Sequence, residues 1–249
     1  MNKKIKTPKV EFPIIQLLPN LMTIAAICAG LTAIRFGFQG VFSLAVLLIL
    51  IAGVLDGLDG RVARLLKSES EFGAELDSLA DFLNFGVAPA FLMYLWALQD
   101  MRSAGWISVL IFAACSVIRL ARFNVGNKSD SIVEDMRFFV GVPSPAGSLL
   151  VLLPMFISFQ WPGAPLIPDS LIIVYIIFVG LLLISRIPTW SLKAMTIYGD
   201  NVKFLFVGFV IVISALLTYP WITLIVVDLV YLVGIIWAWR ASKKPDKHT

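Results

Sequence analysis

Apolar runs long enough to cross a bilayer recur along this chain, at roughly 17–36, 41–66, 74–98, 104–122, 144–160, 167–185, 202–218 and 221–239. A helix needs about 20 residues to span the hydrocarbon, and lipid offers no partner to a free backbone N–H or C=O, so such runs must be helical. The expected fold is therefore all-α and integral to the membrane, with about eight transmembrane helices. The 144–160 run is short and holds Pro145 and Pro154, which leaves open a kinked or re-entrant segment and a total of six or seven spans. With 59% hydrophobic and 14% charged residues, the chain lies outside the range of soluble globular domains.

Charge orients the spans. Lys and Arg gather in cytoplasmic loops, and a cytoplasmic N-terminus puts Lys3 to Lys9, Arg61 to Lys67, Arg119 to Arg137, Arg186 to Lys203 and Arg240 to Lys247 on one side. Of the 20 Lys and Arg, only Arg35 and Arg102 fall on the other side. This predicts an even number of spans with both ends in the cytoplasm of an inner-membrane protein. It also accounts for the net charge of +4 without nucleic acid. The N-terminal MNKKIKTPKV is basic, but prolines interrupt the approach to the first apolar run and no A-x-A pattern follows, so no cleaved signal peptide is expected. Cys28 and Cys115 sit in separate apolar runs and read as small buried hydrophobes, with no disulfide framework. The one histidine, His248, lies in the polar tail, so any metal must be held by oxygen.

Against this background the stretch DGLDGRVARLLKSESEFGAELDSLAD, residues 56–81, is anomalous. If its two halves are antiparallel helices joined near Ser68 to Ser70, Asp59 and Asp77 lie at similar distances from the turn, as do Asp56 and Asp81. At 1.5 Å per residue, this makes two carboxylate layers. At about 100° per residue, Asp56, Asp59, Gly60, Ala63 and Arg64 share one face, while Gly73, Asp77 and Asp81 form an i, i+4, i+8 stripe. Four carboxylates in low dielectric repel each other, and a divalent cation removes that cost. Oxygen-only ligands favour Mg²⁺ or Mn²⁺, and four carboxylates suffice for two ions, the usual apparatus for displacement at phosphorus. Gly57 and Gly60 let a bulky ligand approach the helix backbone, and Arg64 can fork onto a phosphate. The competing reading makes the acids helix-end charges and the glycines packing contacts, but packing glycines do not require four aspartates in register. Glu69, Glu71 and Glu75 read as residues of the wet turn. Asp228, alone in the last run, reads as a structural pair with a neighbouring helix or as a site marker.

The pattern D-x-x-D-G-x-x-A-R, eight residues, then G-x-x-x-D-x-x-x-D resembles the signature of the CDP-alcohol phosphotransferases, carried here by Asp56, Asp59, Gly60, Ala63, Arg64, Gly73, Asp77 and Asp81. The resemblance covers roughly residues 15–215. It implies a six-helix catalytic core, a homodimer, two metals on the four aspartates, a CDP-linked donor and Asp81 as general base. On that basis the chain divides into a basic cytoplasmic segment (1–16), a transmembrane catalytic domain (17–239) and a basic cytoplasmic tail (240–249). Asn20 and Thr23 resemble the polar positions of the family's first helix, which face the nucleotide; with Gly57, Gly60, Ala63, Arg64 and Gly73 they make up the expected donor site.

Three more segments, ARFNV at 121–125, FVGVPSPAG at 139–147 and SRIPTWSLK at 185–193, resemble those of family members that use serine as acceptor. They imply transfer of the phosphatidyl group from CDP-diacylglycerol to the hydroxyl of L-serine, giving phosphatidylserine and CMP in phospholipid biosynthesis. Arg119, Arg122, Asn124, Ser144, Arg186 and Lys193 are then candidates for the acceptor or the lipid phosphate. Topology or headgroup anchoring explains each of the basic residues equally well, and a simple kink explains Ser144. Other acceptors remain open (glycerol 3-phosphate, inositol phosphate, choline), as does an archaeal ether lipid. Outside the family, aspartates in a helical bundle also serve cation transporters, although transport gives no reason for Gly60, Ala63 and Arg64 beside the acids.

Overall fold

The structure, a computed structural model, describes residues 14–128, 138–162, 167–185, 188–190 and 202–242. After a 3-10 turn (Ile14–Leu17) come α1 (Leu18–Phe38), α2 (Phe42–Leu65) and α3 (Glu71–Asp81). Next are a π-helical turn (Phe82–Val87), α4 (Ala88–Ala97) and α5 (Arg102–Lys128). The chain continues through β1 (Phe138–Val140), α6 (Ser144–Gln160), α7 (Asp169–Ile184), β2 (Pro188–Trp190), α8 (Val202–Thr218) and α9 (Pro220–Ser242). The protein belongs to the all-α class of membrane proteins; its short strands β1 and β2 add one antiparallel clasp among the described residues, with Phe138 opposite Trp190.

Among the described residues, five helical stretches are long and apolar enough to cross a membrane: Ile15–Phe38, Phe42–Leu65, Glu71–Ala97, Arg102–Gly126 and Pro220–Arg240. Three shorter apolar helices, Ser144–Gln160, Asp169–Ile184 and Phe206–Thr218, complete the eight apolar runs of the sequence. Pro145 occupies the first turn of α6, where its missing N–H costs nothing. Pro154 lies within α6, which nonetheless continues to Gln160 and is buried from Leu150 to Phe156. This short helix is thus a core element, packed against α4, α7 and α9.

α1 buries Pro19, Thr23, Ala26, Gly30, Ala33 and Gly37, a seam at three- and four-residue spacing made almost wholly of small side chains. Between helices in lipid, where tails are as apolar as leucine, such seams bind by close approach. Cys28 lies off the seam and is exposed, while Cys115 is buried. The burial expected of both cysteines therefore holds for one, because a helix's rotation, and not the apolarity of its run, decides which residues face a neighbour. Exposed apolar side chains such as Val207, Phe209 and Val210 on α8 are what a lipid-facing helix presents.

The π-helical turn is the junction of the fold. Asn84, Phe85 and Gly86 are all buried, more than one face of an ordinary helix buries in succession. Each meets a different helix: Asn84 fills the space that a Cβ on Gly30 of α1 would need, the Phe85 ring lies over Gly53 of α2, and Gly86 leaves room for Ser116 of α5. The extra residue per turn accomplishes this, as π-turns in membrane helices commonly do beside functional positions.

Gly141, just before α6, has φ +85°, and a Cβ there would come within 2.8 Å of the Leu183 and Ser185 carbonyl oxygens. Both features exclude a side chain. Gly141→Ala is expected to destabilise the fold by about 1–3 kcal/mol and to lower the melting temperature of the detergent-solubilised protein. An unchanged melting temperature would show that the α6–α7 junction is not the constraint described.

Candidate active site

The site forms where α1, α2 and α3 meet. Ser70 caps α3, its hydroxyl accepting from the Gly73 N–H at 3.0 Å, which fixes where the helix begins and the phase of its Gly73, Asp77 and Asp81 stripe. Gly73 also lets α1 come close, since a Cβ there would lie 3.0 Å from Asn20 Oδ1. Opposite, α2 presents Asp59, Gly60, Ala63 and Arg64. Asn20, Thr23, Asp59, Gly60, Ala63, Arg64, Gly73 and Asp77 all line one open cleft of about 440 Å³. Pro19 of α1, Ser68, Glu69 and Ser70 of the α2–α3 turn and Ala74 of α3 complete it. The structure thus brings together six of the seven residues expected to hold the donor; Gly57 lies one turn deeper on α2, outside that lining. Glu69, which the sequence assigns to the wet turn alone, also stands at this cleft.

Asp59 is only 4% exposed, and both its oxygens are held: Thr23 Oγ1 donates to Oδ2 at 2.5 Å, and the Gly60 N–H donates to Oδ1 at 2.5 Å. Thr23 is therefore an orienting residue of the carboxylate cluster as well as part of the cleft wall. Asp56 and Asp81 lie one against the other, and Asp77 lies near Asp56 and Asp59. Asp56 Oδ1 is buried with no hydrogen-bond partner among the described residues.

Glycines 57 and 60 differ from the packing glycines, because a Cβ on either would meet nothing within 4 Å. Packing among the described residues does not explain them; a ligand lying on the helix backbone would. Arg64 donates Nε–H to the Gly60 carbonyl at 3.1 Å, which fixes its guanidinium along the same edge.

The acceptor candidates sort into distinct places. Arg119 donates to Ser144 Oγ at 2.6 Å and lies within electrostatic reach of Asp81 and of Tyr231 on α9. Asn124 Nδ2 donates to Ser78 Oγ at 3.0 Å, next to Asp77, a contact from α5 to α3 that the sequence did not signal. Arg122 instead donates to the Ile184 carbonyl at 3.1 Å, closing the C-terminus of α7. No described contact joins it to the aspartates. Arg186 and Lys193 lie outside the described residues. Asp228 is 2% exposed, stands near Tyr175 and has no hydrogen-bond partner for Oδ2 among the described residues.

A divalent metal suits these residues by the chemistry of the donor set: four carboxylates with no histidine or thiol ligand, two of them face to face, and one buried oxygen without a partner. Among the described residues, however, no three or more acidic, His or Cys side chains already converge as a closed cage.

The family model of the CDP-alcohol phosphatidyltransferases matches residues 16–187, and the chain belongs to that family. Similar proteins carry the name CDP-diacylglycerol–serine O-phosphatidyltransferase. That of Mycobacterium leprae is 38% identical over 219 residues, covering 88% of this chain and 73% of the relative. That of Helicobacter pylori is 35% identical over 184 residues, 71% and 76% of the two chains. The protein of that name from Methanocaldococcus jannaschii is 35% identical over 204 residues, 73% and 90%.

The open space at Gly60 separates folding from binding. Gly60→Val is expected to leave the melting temperature unchanged while weakening Mn²⁺-dependent binding of CDP-diacylglycerol at least about tenfold, through a branched side chain placed in the ligand's path. Normal donor binding by the variant would remove the glycine from the site.

Proposed function

We propose that this protein transfers the phosphatidyl group from CDP-diacylglycerol to L-serine, releasing CMP, at the cytoplasmic face of the inner membrane. The observation that carries this reading is the single cleft in which Asp59 and Asp77 meet Gly60, Arg64, Asn20 and Gly73. The shared name of its similar relatives supports serine as acceptor. Both termini lie in the cytoplasm in this reading, and the protein acts as a homodimer.

Asp56, Asp59, Asp77 and Asp81 would hold two Mg²⁺ or Mn²⁺ ions, which when bound neutralise the carboxylates and polarise the donor's phosphate oxygens. The donor's acyl chains stay in the bilayer while its nucleotide enters the cleft beside Asn20, Thr23 and Gly60. Arg64 forks onto a phosphate. Asp81 takes the proton of the serine hydroxyl as that oxygen bonds to the β-phosphorus. The bond from this phosphorus to the bridging oxygen breaks, and the electron pair leaves with CMP. Arg119, fixed by Ser144, keeps a positive charge beside Asp81 and faces the serine carboxylate.

The acceptor is tested by offering the purified protein CDP-diacylglycerol and Mn²⁺ with serine, glycerol 3-phosphate, inositol phosphate or choline in separate reactions. Serine is expected to give the fastest CMP release; a faster reaction with another acceptor overturns the assignment and leaves family membership intact. For the mechanism, Asp81→Asn is expected to lower kcat roughly 10²–10⁴-fold with donor binding largely kept. Asp56→Asn and Asp59→Asn should weaken Mn²⁺ and donor binding together. Near wild-type turnover by Asp81→Asn would mean that another group is the base.

A further inference from the structure

α3 carries Asp77 and Asp81 and walls the donor cleft through Gly73, Ala74 and Asp77, yet packing within the chain does little to fix its rotation. Of its 11 residues only Ala80 is buried, while Phe72 and Leu79 are 70% and 65% exposed. A helix is held in one rotation by the face it buries. Where that face is so small, polar contacts and close backbone approaches must set it. The Ser70 cap and the approach of Gly73 to Asn20 fix the first turn of α3. Further along, α5 supplies the contacts: Asn124 Nδ2 donates to Ser78 Oγ at 3.0 Å, and Arg119 stands near Asp81. The Ser78 hydroxyl in turn donates to the Ala74 carbonyl at 3.0 Å, so it is committed both as donor and as acceptor.

The two contacts from α5 agree in level. Ser78 is three residues before Asp81 on α3, Asn124 is five after Arg119 on α5, and the two helices run in opposite directions. At 1.5 Å per residue, the Asn124–Ser78 hydrogen bond lies about 4.5–7.5 Å along the helices from the approach of Arg119 to Asp81. They agree in rotation too. At about 100° per residue, Ser78 stands roughly 60° from Asp81 and 100° from Asp77, on the flank of the aspartate stripe. A tie at this flank holds the rotation that turns Asp77 and Asp81 towards Asp56 of α2, and it occupies neither carboxylate.

We infer that Asn124 is a positioning residue: through Ser78 it holds α3 with Asp77 and Asp81 facing α2 before any ligand arrives, and it does not itself bind the acceptor. The inference rests on the reading above in which the four aspartates hold divalent ions. A site whose two sides are already fixed binds without a cost for ordering them. With the tie removed, α3 has to be ordered at each binding event, and affinity falls.

The test uses full-length protein in lipid nanodiscs, with neither donor nor serine present, and reads Mn²⁺ binding by electron paramagnetic resonance. Ser78→Ala and Asn124→Ala are each expected to weaken Mn²⁺ binding about three- to tenfold, the effect of one hydrogen bond. The double variant should be no weaker than either single one, because both substitutions remove the same contact. The gain in melting temperature at a fixed Mn²⁺ concentration should shrink in parallel. Unchanged Mn²⁺ binding in both variants overturns the inference. If it comes with a raised KM for serine in Asn124→Ala, that residue is an acceptor ligand; if it comes with a lowered metal-free melting temperature, the pair is a helix-packing contact. Losses that add in the double variant overturn it as well, since the two residues then act separately. If the wild-type protein binds no Mn²⁺, the reading of the aspartates fails and this inference fails with it.

Discussion

The structure is organised around one electrostatic constraint: Asp56 and Asp81 face each other inside an apolar bundle, with Asp59 and Asp77 close by. A carboxylate placed in the middle of a membrane helix costs at least about 2.5–3.5 kcal/mol on insertion scales, and like charges add to that. Such an arrangement persists only where each acid gains compensating partners. Asp59 has Thr23 and the Gly60 amide, and Asp81 has Arg119. Asp56 retains a buried oxygen with no hydrogen-bond partner among the described residues.

Bringing these groups together requires backbones to approach more closely than large side chains permit. The small-residue seam of α1 brings Thr23 to Asp59, and Gly73 brings Asn20 to the start of α3. The π-helical turn then fits Asn84 and Phe85 against glycines of α1 and α2, so that Asp81 sits on a support held by three helices. The general base proposed for Asp81 would need that rigidity, because a misplacement of about 1 Å costs much of the rate. Gly57 and Gly60 differ from Gly30, Gly73 and Gly86, since no described neighbour fills the space over them.

The arginines show how context divides residues of the same type. Arg119 and Arg122 are one turn apart on α5. Arg119 turns inward to Ser144 and Asp81, while Arg122 donates to the last carbonyl of α7 and satisfies one of that helix's orphan acceptors. α9, beyond the part of the chain matched by the family model, reaches the inward-facing arginine through Tyr231.

The sequence by itself determined the helical class, the apolar segments and the association of the four aspartates. Helix periodicity and the cost of polar groups in lipid are local rules, legible wherever a run or a repeat of three or four residues can be read. Asp56 and Asp81 could be matched by counting from a turn, because both belong to one antiparallel pair. What only the tertiary structure decided depends on the rotation and approach of helices distant in sequence. Examples are the exposure of Cys28, Thr23 as the partner of Asp59, the outward commitment of Arg122 and the contact of Asn124 with Ser78. The burial of Asn84, Ser116 and Ser148 was illegible for the same reason. A single serine in an apolar run carries no pattern, and only the packing of helices decides whether it is buried.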